Sequence, residues 1–137
     1  MFVIVLLMIL TIGACSTNSG SEDESLDTEL PFLSIADAVA TEGDSGTASM
    51  MFVVTLSKSS SEIVTVEYST SDGSATAGID YQTSIDNIEF AAGDTLQTIS
   101  VTIQGDTDIE ASETLVVTLS SPGQALLSRA SATGTIT

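Results

Sequence analysis

The sequence predicts an all-β fold, a seven-stranded antiparallel β-sandwich of the immunoglobulin-like type. From Leu30 onward, apolar residues recur at every second position, which is the period of strands and not of helices. The stretches between the apolar runs are rich in Gly, Ser, Asp and Thr, which favour turns. Seven short strands within about 100 residues are typical of an immunoglobulin-like sandwich.

The first half of the domain is predicted to form strands A, B and C, over Phe32–Ala36, Thr47–Leu56 and Ile63–Thr70. Strand B places apolar residues on one face, and these are Ala48, Met50, Phe52, Val54 and Leu56. Strand C directs Val64, Val66 and Tyr68 inward, because the intervening positions are Thr65, Glu67 and Ser69.

The second half is predicted to form strands D to G, over Ile88–Phe90, Leu96–Ile103, Thr114–Leu119 and Ala132–Ile136. In strand E, isoleucine and valine alternate with threonine and serine, so one face of the sheet is expected to meet water. The chain has no tryptophan and a single cysteine. It therefore lacks the buried Trp and inter-sheet disulfide of antibody domains, and only the architecture is predicted.

Composition limits the ligands. Nineteen acids against two bases give a formal charge of −17, which excludes a nucleic-acid partner because phosphates would be repelled. Disulfides cannot stabilise the domain, since Cys15 is the only cysteine, and there is no histidine for a histidine metal site. An oxygen-ligated cation is the remaining candidate for added stability, although a solvated acidic surface explains the charge equally well.

The amino terminus indicates export. Residues 1–14 are nearly all apolar but too few to span a membrane, which suits a signal peptide. The sequence Ile12-Gly13-Ala14-Cys15 resembles the bacterial lipobox, which implies cleavage before Cys15 and lipidation of its sulfur. Residues 15–29 then form an acidic tether predicted to be disordered. The resemblance implies a lipid-anchored protein of the bacterial cell envelope. In Gram-negative bacteria, an aspartate directly after the lipidated cysteine commonly retains a lipoprotein at the inner membrane. Ser16 occupies that position here, so the resemblance points to the outer membrane. An unlipidated signal peptide and a buried strand with an incidental cysteine are the alternatives.

The acids are predicted to gather at one end of the sandwich. Consecutive strands run in opposite directions, so the connections after strands A, C and E lie at the same tip. These connections carry seven carboxylates, which are Glu42, Asp44, Asp72, Asp106, Asp108, Glu110 and Glu113. Both bases, Lys58 and Arg129, are predicted at the opposite tip. Crowded carboxylates on flexible loops suit Ca²⁺, although splaying of the side chains into water remains an equal alternative on spacing alone.

Three blocks of sequence resemble the Calx-beta domain of sodium-calcium exchangers, integrin β4 and bacterial surface proteins. They are Thr41-Glu42-Gly43, the run from Val64 to Tyr81 with its Asp72-Gly73-Ser74-Ala75 core, and the run from Gly105 to Glu113. The resemblance covers residues 31–137, within a predicted domain of residues 30–137. It implies calcium ligands at Glu42, Asp72, Asp106, Glu110 and Glu113, and a backbone carbonyl at Asp108. Asp80 and Tyr81 are interpreted as structural, and a ligand role for Asp80 is the alternative.

Two departures from the family pattern predict an incomplete or weaker ion site. Gly105 stands where the exchangers have another aspartate, and the chain stops at Thr137, where family members add an acidic cluster, so truncation at this end is left open. The resemblance implies a surface-anchored calcium module that acts in adhesion or assembly, with other surface proteins or a polysaccharide as further partners. The alternative is a purely structural sandwich whose ion site is degenerate. No enzyme is predicted. Paired carboxylates could serve as the acid and base of a glycosidase, but those flank a substrate cleft. Here the acids cluster on loop tips, with no aromatic platform, no histidine and no nucleophile beside a base.

Overall fold

The computed structural model describes residues 29–137, so the predicted signal peptide, Cys15 and nearly all of the predicted tether lie outside the described residues. Two β-sheets form a sandwich. The strands are β1 (Phe32–Ile35), β2 (Ala38–Ala40), β3 (Thr47–Leu56), β4 (Val64–Asp72), β5 (Ile85–Phe90), β6 (Leu96–Gln104), β7 (Glu113–Gly123), β8 (Leu126–Arg129) and β9 (Ser131–Ile136).

One sheet has four strands in the order β6-β3-β1-β8, and the other has five in the order β2-β9-β7-β4-β5. The pairs β3–β6, β4–β5, β4–β7, β7–β9 and β1–β3 are antiparallel. The pairs β1–β8 and β2–β9 are parallel. The all-β sandwich predicted from the alternation of apolar residues is therefore confirmed, with two parallel pairs added at its edges.

The strand count is nine and not the predicted seven, because two short strands were not predicted: β2 follows the first predicted strand, and β8 follows β7. The predicted strand A corresponds to β1 in the four-stranded sheet, and the chain then crosses to the five-stranded sheet, where it forms β2. The crossing point is Asp37, whose Oδ1 accepts hydrogen bonds from the Arg129 guanidinium and from the Thr133 backbone N–H. These partners lie more than 90 residues away in the sequence, so the local pattern carries no sign of the break.

The core lies between the inner faces of the two sheets. Its largest fully buried side chains include Tyr81, Phe52, Phe90, Leu33, Ile35 and Met50. The alternation is visible in β6, where Ile99, Val101 and Ile103 are buried and the residues between them are not. Within residues 29–137, no helix has the length and apolar character needed to cross a membrane.

The sandwich has two distinct ends. β3 runs from Thr47, which pairs with Gln104, to Leu56, which pairs with Leu33. The Thr47 side, called the acidic end here, carries the connections 41–46, 73–84 and 105–112. Lys58 follows Leu56 at the other end, about 30 Å away along the strand. The described chain enters at the Lys58 end, through Phe32, and its last strand finishes at the acidic end, where Ile136 pairs with Glu113.

Candidate metal centre

Three connections and the start of β7 bring carboxylates together at the acidic end. The β2–β3 connection supplies Glu42, and the β6–β7 connection supplies Asp106 and Glu110. Glu113 opens β7, opposite Ile136 of β9. The segment between β4 and β5 supplies Asp80. Because these segments all leave their sheets at one tip, side chains far apart in sequence become neighbours.

Glu42, Asp106 and Glu110 form the first group, in which one oxygen from each carboxylate lies within 4.8 Å of the others. A calcium ion holds its oxygen ligands at 2.3–2.6 Å, so ligands on opposite sides of the ion are about 4.6–5.2 Å apart. The spacing of the first group therefore permits all three oxygens to contact one ion.

Asp80, Glu110 and Glu113 form the second group, with the same spacing between their oxygens. Asp80 is only 6% exposed and is the buried charged residue of the described chain. Its Oδ2 accepts a hydrogen bond from the Thr76 backbone N–H at 2.7 Å. Glu110 belongs to both groups, so its carboxylate links them.

The crowding is visible in the pKa values of the two glutamates of the second group. Loss of contact with water is the largest cause that raises the pKa of Glu110, and the charges of its neighbours, Asp106 first, add to it. Loss of water also raises the pKa of Glu113, followed by the charge of Asp80 and a hydrogen bond with it. Both shifts disfavour the ionised form, which is the form that a cation would stabilise.

Asp72 holds in place the segment that carries Asp80. Its Oδ1 accepts hydrogen bonds from the Tyr81 hydroxyl at 2.6 Å and from the Ala77 backbone N–H at 3.0 Å. The Tyr81 ring is fully buried and pairs in the backbone with Ile103 of β6. Burial, followed by the hydrogen bond and charge of Asp72, raises the pKa of Tyr81 to about 12. Asp72 thus fixes the turn that brings Asp80 towards Glu110 and Glu113.

The structure groups four of the six acids expected as ligands and leaves two outside. Glu42, Asp106, Glu110 and Glu113 belong to the two groups, whereas Asp72 and Asp108 belong to neither. The backbone N–H of Asp108 donates to Asp106 Oδ1 at 2.8 Å, which orients the Asp106 carboxylate. Asp80, which the sequence analysis interpreted as structural with a ligand role as the alternative, is the addition. In the sequence, Asp80 directly precedes Tyr81, and this is the one local indication that Asp80 is buried. Burial by itself does not identify Asp80 as a metal ligand.

A small cleft joins the two groups, and it is lined by Glu42, Glu110, Ala111, Glu113, Ile136 and Thr137. A wider depression lies on the outer face of the five-stranded sheet, with Thr65, Glu67, Asn87 and Ser121 in its lining. It holds a single carboxylate, so the wider depression is not a comparable candidate for a cation.

The fold has solved relatives. The apo form of the Calx CBD1 domain aligns with a TM-score of 0.64 and 23% identity, covering 79% of this chain and 96% of that one. The calcium binding domain CBD12 of CALX1.1 aligns with a TM-score of 0.66 and 24% identity, covering 77% of this chain and 44% of that one. CBD12 from CALX1.2 gives 0.67 and 23%, with 77% and 44% coverage. This chain thus spans less than half of either CBD12 structure. No curated protein matches it.

The family-level comparison covers the whole of the described chain. The model of the Calx-beta domain matches residues 29–137, which begin three residues before β1 and extend past β9. The match includes each segment that contributes a carboxylate to the two groups. This chain therefore belongs to the Calx-beta family.

Proposed function

We propose that this Calx-beta domain binds Ca²⁺ at its acidic end and serves as a calcium-dependent surface module of the bacterial cell envelope. One observation carries the proposal: two groups of three carboxylates share Glu110, in a fold similar to a structure described as a calcium binding domain. Glu42 and Asp106 bind on one side of Glu110, and Asp80 and Glu113 bind on the other. Calx-beta domains are non-catalytic binding modules, and the proposal includes no reaction.

The ligand set favours calcium over other metals. All five side chains offer oxygen, and the chain has no histidine, so the ligands that zinc prefers are missing. Four of the five come from connections between strands, which tolerate the irregular coordination of Ca²⁺ better than the strict octahedron of Mg²⁺. The single lysine of the sequence, Lys58, is at the other end, well beyond the roughly 8 Å over which exposed charges interact at physiological salt. A cation from solution is needed to offset the repulsion.

Isothermal titration of the full chain, purified in a mild detergent, tests the binding. We expect Ca²⁺ to bind with a dissociation constant of roughly 0.1–1 mM, as extracellular calcium modules do. Mg²⁺ should bind more weakly, and sodium chloride of matched ionic strength should give no saturable heat. Equal responses to calcium and to matched salt would contradict the proposal.

The location is proposed from the sequence. Lipid on Cys15 would anchor the chain to the envelope, where the domain would act in adhesion or assembly with other surface proteins or a polysaccharide. Metabolic labelling with radioactive palmitate should mark the protein and leave the Cys15→Ser variant unmarked. Labelling of that variant at the normal level would exclude the anchor, without bearing on calcium.

A second candidate function is a structural sandwich whose ion site is degenerate. It is favoured by the state of Asp72, whose Oδ1 is engaged by Tyr81 and Ala77 and which lies in neither carboxylate group. Under this alternative, Asp72 and the Asp108 carbonyl have ceased to be ligands and no ion completes the site. Saturable calcium binding separates the two functions, because only the first requires it.

A further inference from the structure

The β2–β3 connection, residues 41–46, is called the strap here, and it is held at both ends. At its start, the Glu42 backbone N–H donates to the Thr137 carbonyl at 3.1 Å, and the Thr137 N–H donates to the Ala40 carbonyl at 3.0 Å. At its finish, the Gly105 N–H donates to the Gly46 carbonyl at 3.0 Å. The strap therefore spans from β9 to the end of β6, with the Glu42 side chain between the two attachments.

Between these attachments, the strap crosses Gly105 at a distance that no other residue type allows. A Cβ atom at position 105 would lie 2.2 Å from the Gly43 carbonyl oxygen, and 2.9 Å and 3.0 Å from its carbon and nitrogen. All three are backbone atoms next to Glu42, so rotation of a side chain cannot relieve the contact. The absence of a side chain at Gly105 is what lets Gly43 lie against it.

We propose that Gly105 is a positioning residue for the cation site. Its lack of a side chain lets the strap lie close to the end of β6, and this places Glu42 beside Asp106 and Glu110. This inference rests on the proposed function. It changes the meaning of the glycine, which the sequence comparison treated as a missing aspartate ligand. The site lacks a carboxylate at position 105, but the strap can therefore approach more closely and bring the Glu42 carboxylate to the site.

The expected displacement is large on the scale of metal coordination. Bringing the contact from 2.2 Å to 3.0 Å, the closest approach that real Cβ atoms show, requires the strap to move by about 0.8 Å. Metal–ligand distances tolerate about 0.2 Å. Glu42 is also restrained by its hydrogen bond to Thr137, so its backbone cannot follow the ion freely.

The test is calcium titration of the full chain carrying Gly105→Ala. We expect the dissociation constant to rise by about 10-fold or more, the effect typical of losing a group that orients a metal ligand. Glu42→Gln should raise it at least as much. Adding Gly105→Ala to Glu42→Gln should then change it by less than about twofold, because the glycine acts through Glu42.

Two further variants separate positioning from general damage. Gly123→Ala introduces a contact of 2.6 Å with Thr65 Oγ1 at the Lys58 end, so it should lower stability and leave calcium affinity unchanged. Glu42→Asp keeps the charge and shortens the side chain, so it should weaken binding even if Gly105→Ala does not fold. Wild-type affinity in a folded Gly105→Ala protein, or in Glu42→Asp, would overturn the inference and leave the proposed function intact. Absence of calcium binding by the wild-type chain would instead refute the proposed function itself.

Discussion

Glu110→Gln should act in opposite directions on the ion-free and the calcium-loaded protein. Glu110 is the residue shared by both carboxylate groups, and its pKa is raised by loss of water and by neighbouring acids, Asp106 first. Without calcium, a neutral glutamine relieves this repulsion, so the melting temperature should rise. With calcium, each group loses one of its three carboxylates, so the ion binds more weakly.

The size of the effect follows from binding linkage. At a calcium concentration of about 100 times the dissociation constant, binding stabilises the folded wild-type protein by about 2.7 kcal/mol. A domain of this size gains roughly 4–8 °C in melting temperature per kcal/mol, so the total rise is about 10 °C or more. If the variant binds about 100-fold more weakly, the same calcium adds only about 0.4 kcal/mol, or roughly 2–3 °C.

Melting curves in chelator, in calcium and in sodium chloride of matched ionic strength measure both effects. The matched variant is Glu89→Gln, which removes one charge from an exposed position on β5, away from either group. It should keep the full calcium-induced rise. If Glu110→Gln and Glu89→Gln respond alike to calcium, the stabilisation is general charge screening, and the reasoning from the shared carboxylate is refuted.

Three further predictions concern the neighbours of the site and the core. Asp72→Asn should destabilise the ion-free protein by about 1 kcal/mol, because the charged acceptor of the hydrogen bond from the Tyr81 hydroxyl becomes neutral. This effect is opposite in sign to that of Glu110→Gln, and an increased melting temperature in chelator would contradict it. In chelator, the free energy of unfolding should fall as pH rises from about 4.3, the ordinary pKa of glutamate, through the raised pKa values of Glu110 and Glu113, because the folded protein retains protons that the unfolded chain has lost. Denaturant titrations should show that saturating calcium abolishes this fall. A fall that persists in calcium would contradict the assignment of Glu110 and Glu113 as calcium ligands. Gly134→Ala should lower the free energy of unfolding by about 1–3 kcal/mol, because the added methyl group overpacks the core against the Met50 sulfur and the Phe52 ring. Calorimetry should find the calcium affinity unchanged, and an altered affinity would show that the core and the site are coupled.

The sheets were predictable because the alternation of apolar residues is a local property. β3 occupies the predicted Thr47–Leu56, and β9 differs from the predicted strand by one residue. The crossing from β1 to β2 in the other sheet was not predictable, because it depends on Asp37 meeting Arg129 and Thr133 after the chain has folded. β8 was missed because its four residues at a sheet edge, none of them fully buried, show no alternation of apolar and polar residues.

The candidate site was predictable only as far as the end of the sandwich on which it lies. Counting strand directions assigns Glu42, Asp106 and Glu110 to one tip, since each strand reverses the chain. It cannot tell which acids at that tip face one another. Asp80 approaches Glu110 because the Asp72–Tyr81 hydrogen bond folds its segment against β6, and Glu42 approaches because Gly105 is small. The approach of Asp80 and that of Glu42 to Glu110 each join residues that are distant in the sequence, so the spacing of acids along the chain does not predict them.

The chain enters the sandwich at one end and finishes its last strand at the other, and this arrangement determines how tension would load the domain. A force applied between Glu29 and Thr137 runs along the strands, so it strains the ladder between β1 and β3 in shear. All bonds of a sheared ladder share the load, whereas a peeled ladder breaks one bond at a time. The hydrogen bonds of Thr137 to Ala40 and Glu42 lie at the point where such a force would be applied. An ion bound through Glu42 would brace this point, so calcium would raise the force at which the domain yields.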